Sequence, residues 1–147
     1  MRLWHESLIP LLPRQQLLGQ HRECCALRGN GWGKPHSTVN YVFNNPYECL
    51  VAYHEKVMEE MTRRGYKHDQ LWDIPEYRGK SHKTEYCFDY TLYYELSVWK
   101  DTPIYSEHND EYLQECLKNL DGKGIHINKE LLSMNNVRIY KKRNTPL

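Results

Sequence analysis

Apolar residues recur at helical spacing in three separate segments of this chain, and a glycine lies just beyond each segment. Side chains three and four positions apart share one face of an α-helix, so this spacing predicts helices with one buried face each. Glycine readily adopts the left-handed backbone conformation that ends many helices. The pattern therefore predicts a bundle of packed helices joined by loops.

The three predicted helices run from about Pro13 to Leu27, from about Pro46 to Arg64 and from about Asn109 to Leu120. Proline suits a first helical turn, where its missing N–H has no helical partner in any case. The second and third helices end alike, in `MEEMTRRGY` and `LKNLDGKGI`. Helix capping and the helix dipole explain this likeness better than an internal repeat does.

One segment, from Thr84 to Trp99, fits two structures. Its apolar residues match a helical spacing, but alternate residues also match the two faces of a strand. We favour the helix. The remaining stretches, including `RGNGWGKPHSTVNY` and `DIPEYRGKSHK`, are rich in turn residues and predict long ordered loops.

The chain has 147 residues, of which 39% are hydrophobic and 27% charged, which is typical of a globular protein with its own core. We expect a mainly α, compact single domain over residues 1–147. Because no apolar run approaches the ~20 residues of a membrane span, we expect no membrane association.

The cysteines and histidines do not form a recognisable ligand motif. The five cysteines are odd in number and lie mostly on apolar helix faces, which predicts reduced, buried thiols in a cytoplasmic protein. The sequence contains no C-x-x-C and no histidine pair at the usual ligand spacing. We therefore predict no metal site.

Positive charge is concentrated at the two ends of the chain, although the formal net charge is only +1. Local basic patches, rather than the total charge, create a field that attracts phosphates. The basic residues of the first 45 positions are Arg2, Arg14, Arg22, Arg28 and Lys34. Those of the C-terminal tail are Arg138, Lys141, Lys142 and Arg143.

Two features near the first helix each leave two interpretations open. Arg22 and Glu23 lie beside the apolar face, where charged neighbours are usually solvated but where a carboxylate could also be held for chemistry. The loop `RGNGWGK` places glycines at every second position between Arg28 and Lys34. Such a loop either binds a phosphate through its backbone N–H groups or is simply a turn.

A family resemblance favours the chemical interpretation of Glu23. The segments `LPRQQLLGQHRE` (12–23), `STVNYVFNNPYECLVAYHEKVMEEMTRRGY` (37–66) and `DIPEYRG` (73–79) occur in this order. In order and spacing they resemble the pyrimidine-dimer DNA glycosylases of the phage endonuclease V type. The resemblance covers roughly residues 1–80, and residues 81–147 diverge.

The resemblance implies a compact helical protein whose N-terminus packs near the first helix, inside the active site. Family members cut the glycosidic bond of a damaged pyrimidine in double-stranded DNA with the N-terminal α-amine as nucleophile. A helix-borne glutamate assists, and strand cleavage follows by β-elimination. On this basis Met1 and Glu23 are the expected catalytic residues, with no cofactor and no obligate protein partner. The expected DNA contacts are Arg2, Arg22, Arg28 and Lys34.

The sequence departs from the phage type at its beginning. The phage type exposes a small residue by losing its initiator methionine, whereas residue two is Arg2 here, which ordinarily blocks that removal. Gln16 stands where the phage type has a histidine. The aromatic C-terminal segment that contacts the lesion in the phage type has no clear counterpart, so these departures bear mainly on lesion specificity.

An α-amine suits the nucleophilic role because its usual pKa is about 7.7–8.0, against about 10.4 for lysine, so more of it is unprotonated near neutrality. An alternative from another class is a non-catalytic module that binds nucleic acid or another partner on the same helical scaffold. A third interpretation is an enzyme that acts on RNA or on nucleotides.

Overall fold

A computed structural model of the chain describes residues 1–80, 86–98 and 103–132. Five complete α-helices lie within these ranges, and no β-strand does. They are α1 (Arg14–Arg28), α2 (Asn40–Phe43), α3 (Tyr47–Arg63), α4 (Tyr90–Val98) and α5 (Asp110–Gly122). Two 3-10 helices, Glu6–Leu11 and Gln70–Asp73, complete the set. The mainly α fold predicted from the sequence is confirmed.

The three predicted long helices correspond to α1, α3 and α5 and differ from the predicted bounds by one or two residues at each end. The short helices α2, Glu6–Leu11 and Gln70–Asp73 lie in stretches for which the sequence predicted no helix. They are too short to show a helical repeat of apolar residues, which explains why the spacing did not reveal them.

The segment of ambiguous pattern contains helix α4, so the helical interpretation is confirmed over Tyr90–Val98. The Asp89 carboxylate accepts a hydrogen bond from the N–H of Leu92 at 3.0 Å, which caps the start of this helix. Residues 86–89 precede the helix as irregular chain. Thr84, Glu85 and Trp99 lie outside the described residues.

Helices α3 and α5 end in the same backbone motif. At the end of α3, the N–H of Tyr66 donates to Met61 and that of Gly65 to Thr62, with Gly65 at φ +83°. At the end of α5, Ile125 donates to Leu120 and Gly124 to Asp121, with Gly124 at φ +78°. Both are Schellman motifs, which need a left-handed residue after the helix. Capping therefore explains the likeness of the two sequences.

The core forms where α1, α4 and the helix Glu6–Leu11 pack against α3. Helix α5 adds its inward face, on which Leu113, Cys116 and Leu120 are buried. Apolar side chains that are at most 1% exposed include Leu3, Leu8, Leu12, Leu17, Val42, Leu50, Tyr53, Val57 and Tyr105. Residues from both halves of the chain thus share one core.

The five cysteines are free thiols, and Cys24, Cys49 and Cys116 are buried.

Within the described ranges, no helix is both long and apolar enough to cross a membrane.

Candidate active site

Gln20 of α1 ties the first residues of the chain to the first long helix. Its Nε2 donates to the carbonyl oxygen of Arg2 at 3.0 Å and to Oε2 of Glu23 at 3.1 Å. Its Oε1 accepts from the N–H of Trp4 at 2.7 Å and from the hydroxyl of Tyr53 at 2.9 Å. Only 1% of Gln20 is exposed, and all its hydrogen-bonding capacity is used. The N-terminus therefore packs near α1, as the resemblance implied.

Glu23 lies one helical turn beyond Gln20 and is half-buried beside the N-terminal segment. Burial raises the pKa of its carboxyl above the usual value. Three positive charges oppose this rise, namely the N-terminal amine, Lys123 and Arg22. The site thus contains a partly desolvated carboxylate that Gln20 joins to the first residues of the chain, within the field of the α-amine.

Met1 itself is 43% exposed. The hydroxyl of Thr38, in the loop before α2, donates a hydrogen bond to the Met1 carbonyl oxygen. Thr38 and Gln20 hold consecutive carbonyl groups of the chain from two different elements. The first residue is therefore held in place although it is largely exposed.

Helix α5 forms a further wall of this site. The hydroxyl of Tyr112 donates to the carbonyl oxygen of Leu3, and the Arg2 guanidinium lies over the Tyr112 ring at 5.8 Å. Arg2 also pairs with Glu115 at 3.4 Å, a largely exposed contact that contributes little to stability. Lys123, the C-cap residue of α5, places its Nζ 5.5 Å from the centre of the Trp4 ring.

The expected DNA-contacting residues lie in different surroundings. Arg2 borders the site. Arg22 and Lys34 are both exposed. Arg22 and Glu23, although adjacent, differ in exposure because they point about 100° apart around α1. Exposure leaves Arg22 and Lys34 available to a phosphate, and their contact with DNA remains a prediction.

Arg28 does not fit its expected role, because its side chain is completely buried. Its guanidinium donates to the backbone oxygens of Trp72 (2.9 Å), Ile74 (3.0 Å) and Tyr77 (3.0 Å). It also lies over the Trp72 ring at 5.0 Å. All these partners belong to the segment around `DIPEYRG`, so Arg28 clamps that loop to α1 and is not available to DNA in this structure.

The glycine-rich loop after α1 folds as a turn. Its N–H groups at Gly29, Gly31, Trp32 and Lys34 all donate to carbonyl oxygens within residues 25–31. A Cβ at Gly31 would lie 2.8 Å from the carbonyl oxygen of Ala26, and Gly33 has φ +78°. The close approach at Gly31 and the positive φ at Gly33 therefore explain why glycine occupies these two positions. The four N–H groups are used within the turn and do not converge on a phosphate.

His21, Cys25 and His54 come together between α1 and α3, with ligand-type atoms within 4.8 Å of one another. No sequence pattern marks this group, because a His–Cys pair at helical i, i+4 spacing meets the third residue only in the folded chain. The His21 Nδ1 to His54 Nε2 distance is 2.8 Å. The cluster has the residue types of a metal site.

The neighbouring Arg28 determines which nitrogen of His54 carries the proton. Its Nη1 lies 3.0 Å from His54 Nδ1, and a guanidinium can only donate, so this nitrogen accepts. Neutral His54 therefore carries its proton on Nε2 and donates it to His21, which leaves no lone pair there for a metal. Burial lowers the pKa of His21 to about 4 and raises that of the Cys25 thiol to about 11. We interpret the cluster as a hydrogen-bond chain of neutral groups.

A cavity of about 430 Å³ lies on another face of α3 and includes Glu55, Trp72 and Tyr93 in its wall. Burial and the neighbouring Glu59 raise the pKa of Glu55 to about 7. None of the site residues predicted from the sequence lines this cavity.

Sequence reasoning missed four residues of the candidate site: Gln20, Thr38, Tyr112 and Lys123. The sequence does give an indication for Gln20, because a glutamine on the inward side of an amphipathic helix needs buried hydrogen-bond partners. Thr38 lay within a quoted family segment without an assigned role. Tyr112 and Lys123 are more than 100 positions from Met1 along the sequence, and only folding brings them near it.

Among known protein families, a family model described as pyrimidine dimer DNA glycosylase matches residues 1–74. This range agrees with the resemblance drawn over roughly residues 1–80. No curated protein and no solved structure gives a significant match.

Proposed function

The chain belongs to the pyrimidine dimer DNA glycosylase family, and from this premise we propose that it is a DNA repair glycosylase with an associated β-lyase activity. The proposed nucleophile is the N-terminal α-amine, with Glu23 as the assisting carboxylate. The observation that supports this assignment most is the bridge through Gln20, whose Nε2 donates to Glu23 Oε2 at 3.1 Å and to the carbonyl oxygen of Arg2 at 3.0 Å. This bridge holds the carboxylate close to the first residues of the chain.

The proposed reaction begins with attack of the unprotonated amine on C1′ of the damaged nucleotide. A C1′–N bond to the protein forms as the bond to the base breaks, and the electron pair leaves with the base. The Glu23 carboxylate stabilises the positive charge that develops on the sugar. Ring opening then gives an imine, and loss of a C2′ proton expels the 3′ phosphate by β-elimination, with Glu23 relaying protons.

The proposed DNA surface comprises Arg2, Arg22 and Lys34 and leaves out the buried Arg28. A flipped or bent nucleotide would expose C1′ to the amine, and damaged pairs cost least to open. The proposal does not specify the lesion, because the C-terminal part of the chain diverges from the phage type.

Trapping with borohydride tests the mechanism directly, because borohydride reduces an imine to a stable amine. We expect a covalent adduct with duplex DNA that contains an abasic site or a cyclobutane dimer. Mass analysis of the adduct peptide should place the DNA on the N-terminal residue. Acetylation of the N-terminus should abolish the adduct. An adduct on an internal lysine would contradict the proposed nucleophile.

Glu23→Gln provides the matched variant, because it removes the charge while keeping the size of the side chain. We expect it to bind abasic duplex with unchanged affinity and to cleave it at least 100-fold more slowly, as is usual for loss of such a group. Cleavage at the wild-type rate would contradict the role of Glu23. Binding without an adduct on any DNA or RNA lesion would favour a non-catalytic binding module.

Arg22→Ala tests the proposed phosphate contact. We expect weaker binding to all duplex sequences and a shallower dependence of affinity on salt, since one fewer counterion is released. Gln15→Ala, also exposed on α1, is the control and should leave the salt dependence unchanged. An unchanged salt dependence in Arg22→Ala would exclude the contact.

A further inference from the structure

The side-chain amide of Gln20 binds different partners with its two ends. Its Nε2 donates to the carbonyl oxygen of Arg2 at 3.0 Å and to Oε2 of Glu23 at 3.1 Å. Its Oε1 accepts from the N–H of Trp4 at 2.7 Å. One planar group therefore connects the first segment of the chain to the carboxylate that we propose for the reaction.

The partners of this amide allow only one orientation of it. The N–H of Trp4 can only donate and the carbonyl oxygen of Arg2 can only accept, so a reversed amide would place donor against donor and acceptor against acceptor. Because only 1% of Gln20 is exposed, water does not compete for these groups. Loss of a hydrogen bond in such a place is costly. The amide is therefore fixed in direction as well as in position, with Nε2 towards Glu23.

The hydrogen bonds of the first four residues alternate between two edges of the chain. Gln20 binds the carbonyl of Arg2 and the N–H of Trp4, whereas the carbonyl oxygens of Met1 and Leu3 accept from hydroxyl groups of other elements. In an extended chain, a C=O and the N–H two residues later point to the same side, and the residue between them points to the other. Gln20 thus pairs with one edge as a neighbouring strand would, and it sets the register of the segment.

This register determines where the first residue of the chain lies. Arg2 follows Met1 directly, so the bond at the Arg2 carbonyl fixes the chain one residue from the proposed nucleophile. The same Nε2 atom fixes the Glu23 carboxylate. A displacement of about 1 Å between reacting groups can lower a rate by about 100-fold. A change at Gln20 should therefore alter the reaction itself.

We propose that Gln20 is a positioning residue of the active site, which holds the N-terminal residue and the Glu23 carboxylate in a fixed relation to each other. The inference rests on the proposed function, because it needs the roles proposed for the α-amine and Glu23. Since Gln20 is buried, its effect is on the rate of the chemical step and not on DNA binding.

The test uses Gln20→Glu in the full-length protein. Glutamate has the same length and keeps an oxygen for the N–H of Trp4, but its carboxylate cannot donate to Arg2 or Glu23. With abasic duplex in excess, each protein molecule forms one borohydride adduct. We expect the rate constant of adduct formation to fall by about 10- to 100-fold, with unchanged affinity for the duplex. A smaller folded fraction alone would reduce the amount of adduct instead.

Gln15→Glu is the matched control, because it makes the same change at an exposed position of α1. It should keep the wild-type rate constant. Gln20→Met is a second variant that removes the whole bridge without adding a charge, and it should also slow the reaction by at least about tenfold. A wild-type rate constant in either Gln20 variant would overturn the proposal.

NMR relaxation of the backbone amides tests the same bridge without DNA. In Gln20→Glu the amide of Arg2 should become more mobile on the picosecond to nanosecond timescale, while that of Trp4 should stay ordered because its acceptor is kept. An unchanged Arg2 amide would overturn the positioning role. Absence of an adduct in the wild type would instead reject the proposed function, and the relaxation data would still decide whether Gln20 holds the N-terminal segment.

Discussion

At the scale of single residues, identical side chains have opposite environments on one helix. Arg22 and Arg28 both lie on α1, yet Arg22 is exposed and Arg28 is completely buried. The buried Arg28 guanidinium donates hydrogen bonds to backbone oxygens of one loop. A buried arginine with such a set of acceptors is a structural clamp.

Arg28→Lys should destabilise the protein by about 3 kcal/mol or more, because lysine cannot reach several carbonyl groups at once and leaves them unpaired. Urea unfolding measures this loss. Arg22→Lys is the control and should change stability by less than about 0.5 kcal/mol. Equal stability of the two variants would contradict the clamp.

The raised pKa of Glu23 predicts a cost of ionisation in the folded state. The carboxylate is disfavoured on folding, so this cost is present above the unfolded pKa and disappears when both states are protonated. Glu23→Gln should therefore unfold at a higher temperature than the wild type at pH 7, with the difference lost at a pH below the usual carboxyl pKa. A lower unfolding temperature at pH 7 would show that Glu23 stabilises the fold.

At the scale of helices, the glycines near the end of α5 have different functions. Gly122 is the last helical residue, and a Cβ there would meet no atom within 4 Å. Gly124 has the same open surroundings but a φ of +78°. Both positions therefore have room for a Cβ atom, and they differ only in backbone conformation.

Alanine substitutions at the two positions should consequently change the stability of the protein in opposite directions. Gly122→Ala should stabilise the protein by up to about 1 kcal/mol, because alanine favours the helix. Gly124→Ala should destabilise it by about 1 kcal/mol, because alanine is strained in the left-handed conformation. Thermal unfolding of the two variants gives the comparison. Stabilisation by Gly124→Ala would show that the Schellman motif does not require this glycine.

At the scale of the whole molecule, buried histidines govern the dependence of stability on pH. Burial lowers the pKa of His5, His21, His54 and His108, to about 4 for His21 and about 3 for His108. Their contribution to stability is complete above the unfolded pKa of about 6.5 and is lost as pH falls towards the folded values. Glu23 and Glu55 act in the opposite direction, because their folded pKa values are raised.

The four histidines outweigh the two carboxyls, so the free energy of unfolding should fall between pH 7 and pH 5. Urea midpoints at the two pH values measure the change. Glu55→Gln should make the free energy of unfolding fall more steeply between pH 7 and pH 5. The wild-type carboxyl gains a proton on folding in this range, which opposes the loss of stability. Stability that is equal or greater at pH 5 would contradict the burial of these histidines.

The sequence by itself determined the helices and their ends. Apolar spacing identified α1, α3 and α5, and the glycines at their ends marked the caps, because both signals depend on residues close together along the chain. It also placed Glu23 at the edge of a buried face, and the family resemblance gave that residue a proposed role.

Only the tertiary structure decided which side chains meet at the site. Packing of α1 on α3 buried Arg28 and joined His21 to His54, while the docking of α5 brought Tyr112 and Lys123 to the N-terminus. Periodicity shows that a face is buried but not against which partner, since contacts between distant residues depend on how whole helices pack. The surroundings of Glu23 were therefore set by the fold and not by its neighbours in sequence.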